Sequence, residues 1–79
     1  MDEAEILVDA RGHRCPVPTL KLRRALAAAT DGATLRLLAD DPLARIDVPH
    51  FLSEIGSQLS GITEENGALS FLIVKGAPR

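Results

Sequence analysis

Apolar positions along the 79-residue chain fall into short runs separated by glycine, proline and aspartate. Residues 5–10 (EILVDA) are partly β-branched and end at Arg11-Gly12, a turn signal, which predicts a strand. Residues 16–29 are rich in Leu, Ala, Lys and Arg, and Leu22, Ala25, Leu26 and Ala29 recur at helical spacing. This predicts a helix with one buried face, stopped by Asp31-Gly32. Residues 33–39 (ATLRLLA) predict a second strand. Asp40-Asp41-Pro42 then opens a second helical segment, with a carboxylate at the cap and proline in the first turn. Pro49 would break a helix running on from Pro42, because it lacks an N–H and its ring meets an earlier carbonyl. A short turn to Arg45 or Ile46 is therefore expected, followed by a fresh helix capped by Asp47. That helix presents Val48, Leu52, Ile55 and Leu59 on one face and ends near Gly56.

Residues 58–65 and 68–75 flank Asn66-Gly67, the strongest short hairpin signal. The last run, ALSFLIVK, is almost continuously apolar, as an interior strand would be. The predicted order is βαβαββ. Its natural packing is an α+β fold: a two-layer α/β sandwich, with a four-stranded mixed sheet carrying two helices on one face.

Composition agrees with a globular chain: 46% of residues are apolar and 25% charged. At this length residues 1–79 are expected to form a single domain, near the lower limit for a lone hydrophobic core. Phe51 and Phe71 are the only aromatics, so the core must be aliphatic. The net charge of −2 gives no global basic field of the kind that attracts nucleic acid. The charges are nevertheless segregated. Arg11, Arg14, Lys21, Arg23 and Arg24 occur with no acidic residue between them, whereas acids gather at Asp2, Glu3, Glu5 and Asp9, at Asp40-Asp41 and at Glu64-Glu65. A single cysteine excludes an internal disulfide framework. The opening MDEAEILVDA is not a signal peptide, and no stretch approaches the ~20 apolar residues of a membrane span. A cytoplasmic protein with no membrane partner is expected.

The lone cysteine lies in Gly-His-Arg-Cys-Pro-Val-Pro-Thr, residues 12–19. With Cys15 at the N-cap and Pro16 at the first helical position, the sulfur would face the positive end of the helix. That placement, with Arg14 beside it, predicts a lowered thiol pKa. Pro18 removes one N–H of the first turn, which leaves Val17 N–H as the main donor to the sulfur. A residue before proline avoids the α region, so the helix could instead begin at Pro18 with Cys15 just outside it. Gly12, His13 and Arg14 are loop residues, which argues against a buried, inert Cys15.

An exposed thiol without a second cysteine cannot run thioredoxin-type exchange. One cysteine with His13 and His50 does not complete a zinc shell, and so small a chain has little room for a protease cleft. A thiol that accepts a group and hands it on needs only access, a stabilised anion and a docking surface, which describes a carrier without metal or cofactor. His13, two residues before Cys15, is a candidate modulator of the thiol; His50 reads as a surface residue. Arg11, Lys21 and Arg24 are candidates for docking an acidic partner. Asp40 and Asp41 read as capping residues without catalytic work.

With these elements the chain resembles the TusA-like sulfur carriers, the group that includes SirA- and YedF-type proteins. The resemblance is carried by Leu7-Val8-Asp9-Ala10-Arg11-Gly12, Cys15-Pro16-x-Pro18, Ala25-Leu26, Asp40-Asp41-Pro42, Asp47-Val48-Pro49, Gly56 and Leu72-Ile73-Val74-Lys75. It implies the βαβαββ sandwich and a persulfide carried on Cys15. The thiol would be loaded by a cysteine desulfurase or a rhodanese- or DsrE-like donor and unloaded onto a partner's reactive cysteine. The onward routes are tRNA thiolation, molybdenum cofactor maturation or sulfur oxidation. His13 stands where the family usually has Leu, Val17 where tRNA-thiolation members favour Glu, and Gly56-Ser57 where Gly-His is usual. A monomer when free is expected. The rival readings are a small RNA-binding module, disfavoured by net acidity and absent stacking aromatics, and a regulatory module in which Cys15 is structural or redox-sensing.

Overall fold

A computed structural model describes residues 5–76; the acidic residues Asp2 and Glu3 lie outside the described residues. The elements are β1 (Ile6–Asp9), α1 (Val17–Ala28), β2 (Thr34–Ala39), α2 (Ala44–Ile55), β3 (Gln58–Glu65) and β4 (Ala68–Val74). The sheet order is β1-β2-β4-β3. β1 runs parallel to β2 in the register Ile6↔Leu35 to Asp9↔Leu38. β4 pairs antiparallel with both β2 and β3, so the sheet is mixed and β4 is interior, as its apolar run predicts.

Alternation places Leu35, Leu37 and Ala39 of β2 and Leu69, Phe71 and Ile73 of β4 on one buried face. Leu22 and Leu26 of α1 and Val48, Phe51 and Leu52 of α2 close over that face in a single cluster. Both helices therefore lie on the same side of the sheet. The Asn66-Gly67 turn has φ of 52° and 80°, the left-handed pair that suits the twist of a two-residue hairpin. On β3, Leu59 and Ile62 both pack against the core although an odd spacing would put them on opposite faces. A register shift between Leu59 and Gly61 inserts the extra residue, Ser60, that turns both inward.

Two helix expectations need correction. α1 begins at Val17, with Pro16 as its N-cap and Pro18 in the first turn; neither a start at Pro16 nor one at Pro18 is observed. Val17 N–H is bound to the Arg14 carbonyl at 2.9 Å, which closes a turn ahead of the helix and leaves Cys15 outside the cap position. α2 is one helix with Pro49 inside it, not a turn followed by a restart at Asp47. Its entry is tightened: Ala44, Arg45 and Ile46 N–H bond three residues back, to Asp41, Pro42 and Leu43, before Asp47 N–H also reaches Leu43. The bond that Pro49 cannot make would fall on the carbonyl of exposed Arg45, where water can replace it. The buried face of α2 uses Phe51, whereas Ile55, the last helical residue, is 46% exposed. Leu59 is no part of that face and reaches the core from β3. At the end of α1, the Lys75 ammonium donates to the Ala29 carbonyl at 2.7 Å. No helix among the described residues is long and apolar enough to cross a membrane.

Candidate functional site

Because β1 and β2 are parallel neighbours, the loops that leave their carboxyl ends meet at one edge of the sheet. The first loop carries residues 10–16 and the second carries Asp40 and Asp41. Ala10, fully buried, fixes the root of the first loop by donating its N–H to the Leu38 carbonyl at 2.8 Å. Gly12 has φ of +86° and donates its N–H to both carboxylate oxygens of Asp40, each at 3.0 Å. Cys15 N–H donates to Asp41 Oδ2 at 2.8 Å, while Asp41 Oδ1 accepts Leu43 N–H at 3.0 Å. One carboxylate thus ties the cysteine loop to the start of α2. Neither Asp40 nor Asp41 caps α2 as expected from Asp-Asp-Pro, since the helix starts at Ala44 behind Leu43 with no side-chain cap and Pro42 precedes it. Asp41 closes the turn ahead of it. Neither its hold on Cys15 nor the Asp40–Gly12 contact follows from the local sequence. The signal that could have found them is the parallel pairing of the two preceding strands, which brings their exits together.

Cys15 is half-buried and packs against the core. Its thiol pKa is raised, not lowered: burial contributes most, then the negative charges of Asp41 and Asp47, then a hydrogen bond to Asp47. The expected depression fails for two physical reasons. The sulfur is not the acceptor of the first-turn N–H groups, since no side chain caps α1. Arg14, expected to favour the thiolate, instead acts on Asp41. That carboxyl is held below its usual range by the backbone N–H groups of Leu43 and Cys15 and, to a smaller extent, by Arg14. Asp47, read as a helix cap, stands in the first turn of α2 and acts on the sulfur. In the free protein the thiol is therefore held in its neutral form at neutral pH.

The other expected residues divide by location. Pro18 is fully buried and anchors the head of α1, whereas Pro16 is exposed and Val17 half-buried. His13 and Arg14 are exposed and line, with Asp40 and Asp41, an open hollow of about 470 Å³ beside the cysteine. Arg11 lies in the same loop but its guanidinium is committed to Asp9, at 2.9 Å to Oδ1 and 2.8 Å to Oδ2. Those side-chain bonds, with the Arg11 N–H, hold the Asp9 carboxyl well below the usual carboxylate range. Lys21 and Arg24 are not brought to the cysteine loop; they project from α1 into a groove beside β1. His50 is exposed, 3.3 Å from Glu54 on its own helix. No group of three or more potential metal ligands occurs among the described residues.

The two-layer βαβαββ sandwich is shared with a SirA-like protein of known structure. A solved SirA-like protein from Desulfitobacterium hafniense superposes with a TM-score of 0.79 at 28% identity, covering 91% of this chain and 99% of that one. The family model described as Sulfurtransferase TusA matches residues 6–75, and the chain belongs to the TusA family. Among its relatives, the sulfur carrier protein TusA of Allochromatium vinosum is 37% identical over 86% of this chain and 90% of that protein. The sulfur carrier protein TusA of Pseudomonas entomophila is 36% identical over 89% and 88%.

Proposed function

We propose that this chain is a single-domain sulfur carrier in a sulfur relay, with Cys15 as the carrying residue. The observation that supports it most is a lone, half-exposed thiol whose own backbone N–H is anchored by Asp41, in a member of a family whose relatives are named as sulfur carriers. In loading, the Cys15 sulfur attacks the outer sulfur of a donor persulfide. The donor's S–S bond breaks as the new one forms, and the donor cysteine leaves as a thiolate that takes the proton lost by Cys15. Unloading is the same exchange with an acceptor thiol as nucleophile. No net oxidation occurs in either step, and no cofactor is required.

Burial and two carboxylates oppose ionisation of Cys15 until a partner engages. A donor that brings positive charge to Asp41 and Asp47 would release that opposition, confining the reactive state to the docked complex. A cysteine desulfurase or a rhodanese- or DsrE-like protein suits the donor role, and a protein with a reactive cysteine suits the acceptor role. The cytoplasm is the compartment in which an unpaired thiol persists. Incubation with a desulfurase and L-cysteine is expected to add one sulfur mass to the intact protein and none to Cys15→Ser. An unchanged mass against desulfurase, rhodanese and inorganic polysulfide donors would remove the proposal.

A further inference from the structure

β1 is an edge strand, and no other described strand pairs with its outer side. Ala10 N–H points to β2, so the residues of the same parity, Ile6 and Val8, also face β2. The N–H and C=O groups of Leu7 and Asp9 are left on the free side. The opposite edge, β3, is blunted by its bulge and by Glu64 and Glu65, the usual protection against strand pairing. β1 has no bulge among its described pairings, and its own Leu7 is 61% exposed.

Alongside this edge runs a groove of about 600 Å³ between β1 and the outer face of α1. Its helical wall includes Val17, Leu20, Lys21, Arg24 and Ala28, and Leu20 is 52% exposed. The two cations are set apart from most others. Arg11, Arg36, Arg45 and Lys75 each lie within 4.0 Å of a carboxylate, and Arg23 stacks over the Phe51 ring. Neither Lys21 nor Arg24 has a carboxylate partner among the described residues. The charge of Lys21 reaches Asp9, whose oxygens are already taken by Arg11. At its upper end the groove reaches Val17, two residues from Cys15.

We propose that this edge and groove dock an extended, alternating acidic and apolar segment of a partner protein as an added strand on β1. The backbone of the segment would bond Leu7 and Asp9 on their free side. Alternate side chains would turn toward α1, their carboxylates at Lys21 and Arg24, and the apolar side chains between them would turn to the opposite face beside exposed Leu7. A segment so held runs along α1 toward the cysteine loop, which delivers a donor or acceptor to the sulfur. Naming that partner as a relay protein rests on the carrier reading; the docking surface does not.

The test is a titration of the full-length, ¹⁵N-labelled chain with a synthetic heptapeptide of alternating glutamate and valine, read from amide shifts. Shifts are expected along Ile6–Asp9 and at Val17, Leu20, Lys21 and Arg24, with none from the lysine–valine counterpart. Lys21→Glu with Arg24→Glu should weaken binding at least tenfold. Leu7→Pro removes an N–H that no sheet bond uses, a substitution edge strands accept, and should also abolish binding. If that variant loses its dispersed spectrum, Leu20→Glu takes its place with the same expected loss. No shifts with peptide in large excess, shifts confined to the hollow at residues 12–14, or β1 shifts that appear on concentrating the protein alone would each overturn the proposal. The titration is repeated on Cys15→Ser, where binding is expected unchanged. Failure of sulfur loading and failure of docking are thereby read separately.

Discussion

Gly12 offers a direct measure of how far backbone conformation builds the cysteine loop. Its φ of +86° is one that L-residues rarely adopt, yet a Cβ placed there would meet nothing within 4 Å. The cost of Gly12→Ala is therefore conformational and not a clash. The loop cannot relax to a negative φ without pulling Gly12 N–H from the two Asp40 oxygens. An L-residue held in this region costs about 1–2 kcal/mol. With a urea slope of about 1 kcal/mol per molar for so small a domain, the unfolding midpoint should fall by about 1–2 M. D-alanine reverses the sign, since positive φ is its own preferred region and the side chain enters open space. It should raise stability by about 0.4–1 kcal/mol through the lower entropy of the unfolded chain. The D-variant is accessible by chemical synthesis, because Cys15 is itself a ligation site three residues downstream. Urea melts of the three proteins, with Cys15 alkylation followed in parallel, decide the matter. A D-alanine protein as unstable as the L-alanine one would refute the reasoning, as would an L-alanine protein indistinguishable from wild type.

Asp47→Asn removes a negative charge that opposes the thiolate and supplies an amide N–H that can donate to it, so Cys15 should react faster with iodoacetamide at mildly alkaline pH, and its rate–pH midpoint should move down towards 9.0. Since folding raises the Cys15 pKa, the stability linked to it is complete below the ordinary thiol value and is lost as pH rises through the folded value; urea midpoints of wild type and Cys15→Ala should differ in their pH dependence there and not at neutral pH. The Asp41 carboxyl is depressed, so the opposite sign applies: its contribution is present above 3.8 and vanishes as pH falls through the folded value, and the stability deficit of Asp41→Asn against wild type should close in acid. Leu22→Ala empties a fully buried position on the helix behind the cysteine and should cost about 2–5 kcal/mol, measurable by thermal or urea unfolding.

Much of the fold is legible in local chemistry. Asn66-Gly67 marks the hairpin, Gly56 the end of α2, and the almost continuous apolar run of β4 its interior place. Where local rules collide, the outcome is decided by contacts far along the chain. Pro49 argues for a broken helix, but Val48 and Leu52 on either side of it are both buried against the sheet, and continuity costs only a bond that water can supply. Cys15 shows the same division. Its loop and its neighbours can be read from residues 12–18, whereas its acidity is set by burial against the core and by residues 26 and 32 positions away, Asp41 and Asp47. Position at a helix start argues for a thiolate; burial and two carboxylates outweigh it. The basic residues of α1 likewise look like one cluster in the sequence. The helix divides them, with Arg23 turned to Phe51 and Lys21 and Arg24 to the β1 edge.

The place of β4 in the sheet bears on how the protein is made. A ribosome releases β4 after the other three strands, yet β4 is the strand that joins β3 to β2. Until it has emerged, no strand links the parallel β1–β2 pair to β3, and Leu35 and Leu37 lack Ile73 and Phe71 beside them. A chain cut short of β4 leaves β3 without its strand partner and the core without Leu69, Phe71 and Ile73, so the sheet behind the cysteine loop closes only when its last-made strand is in place.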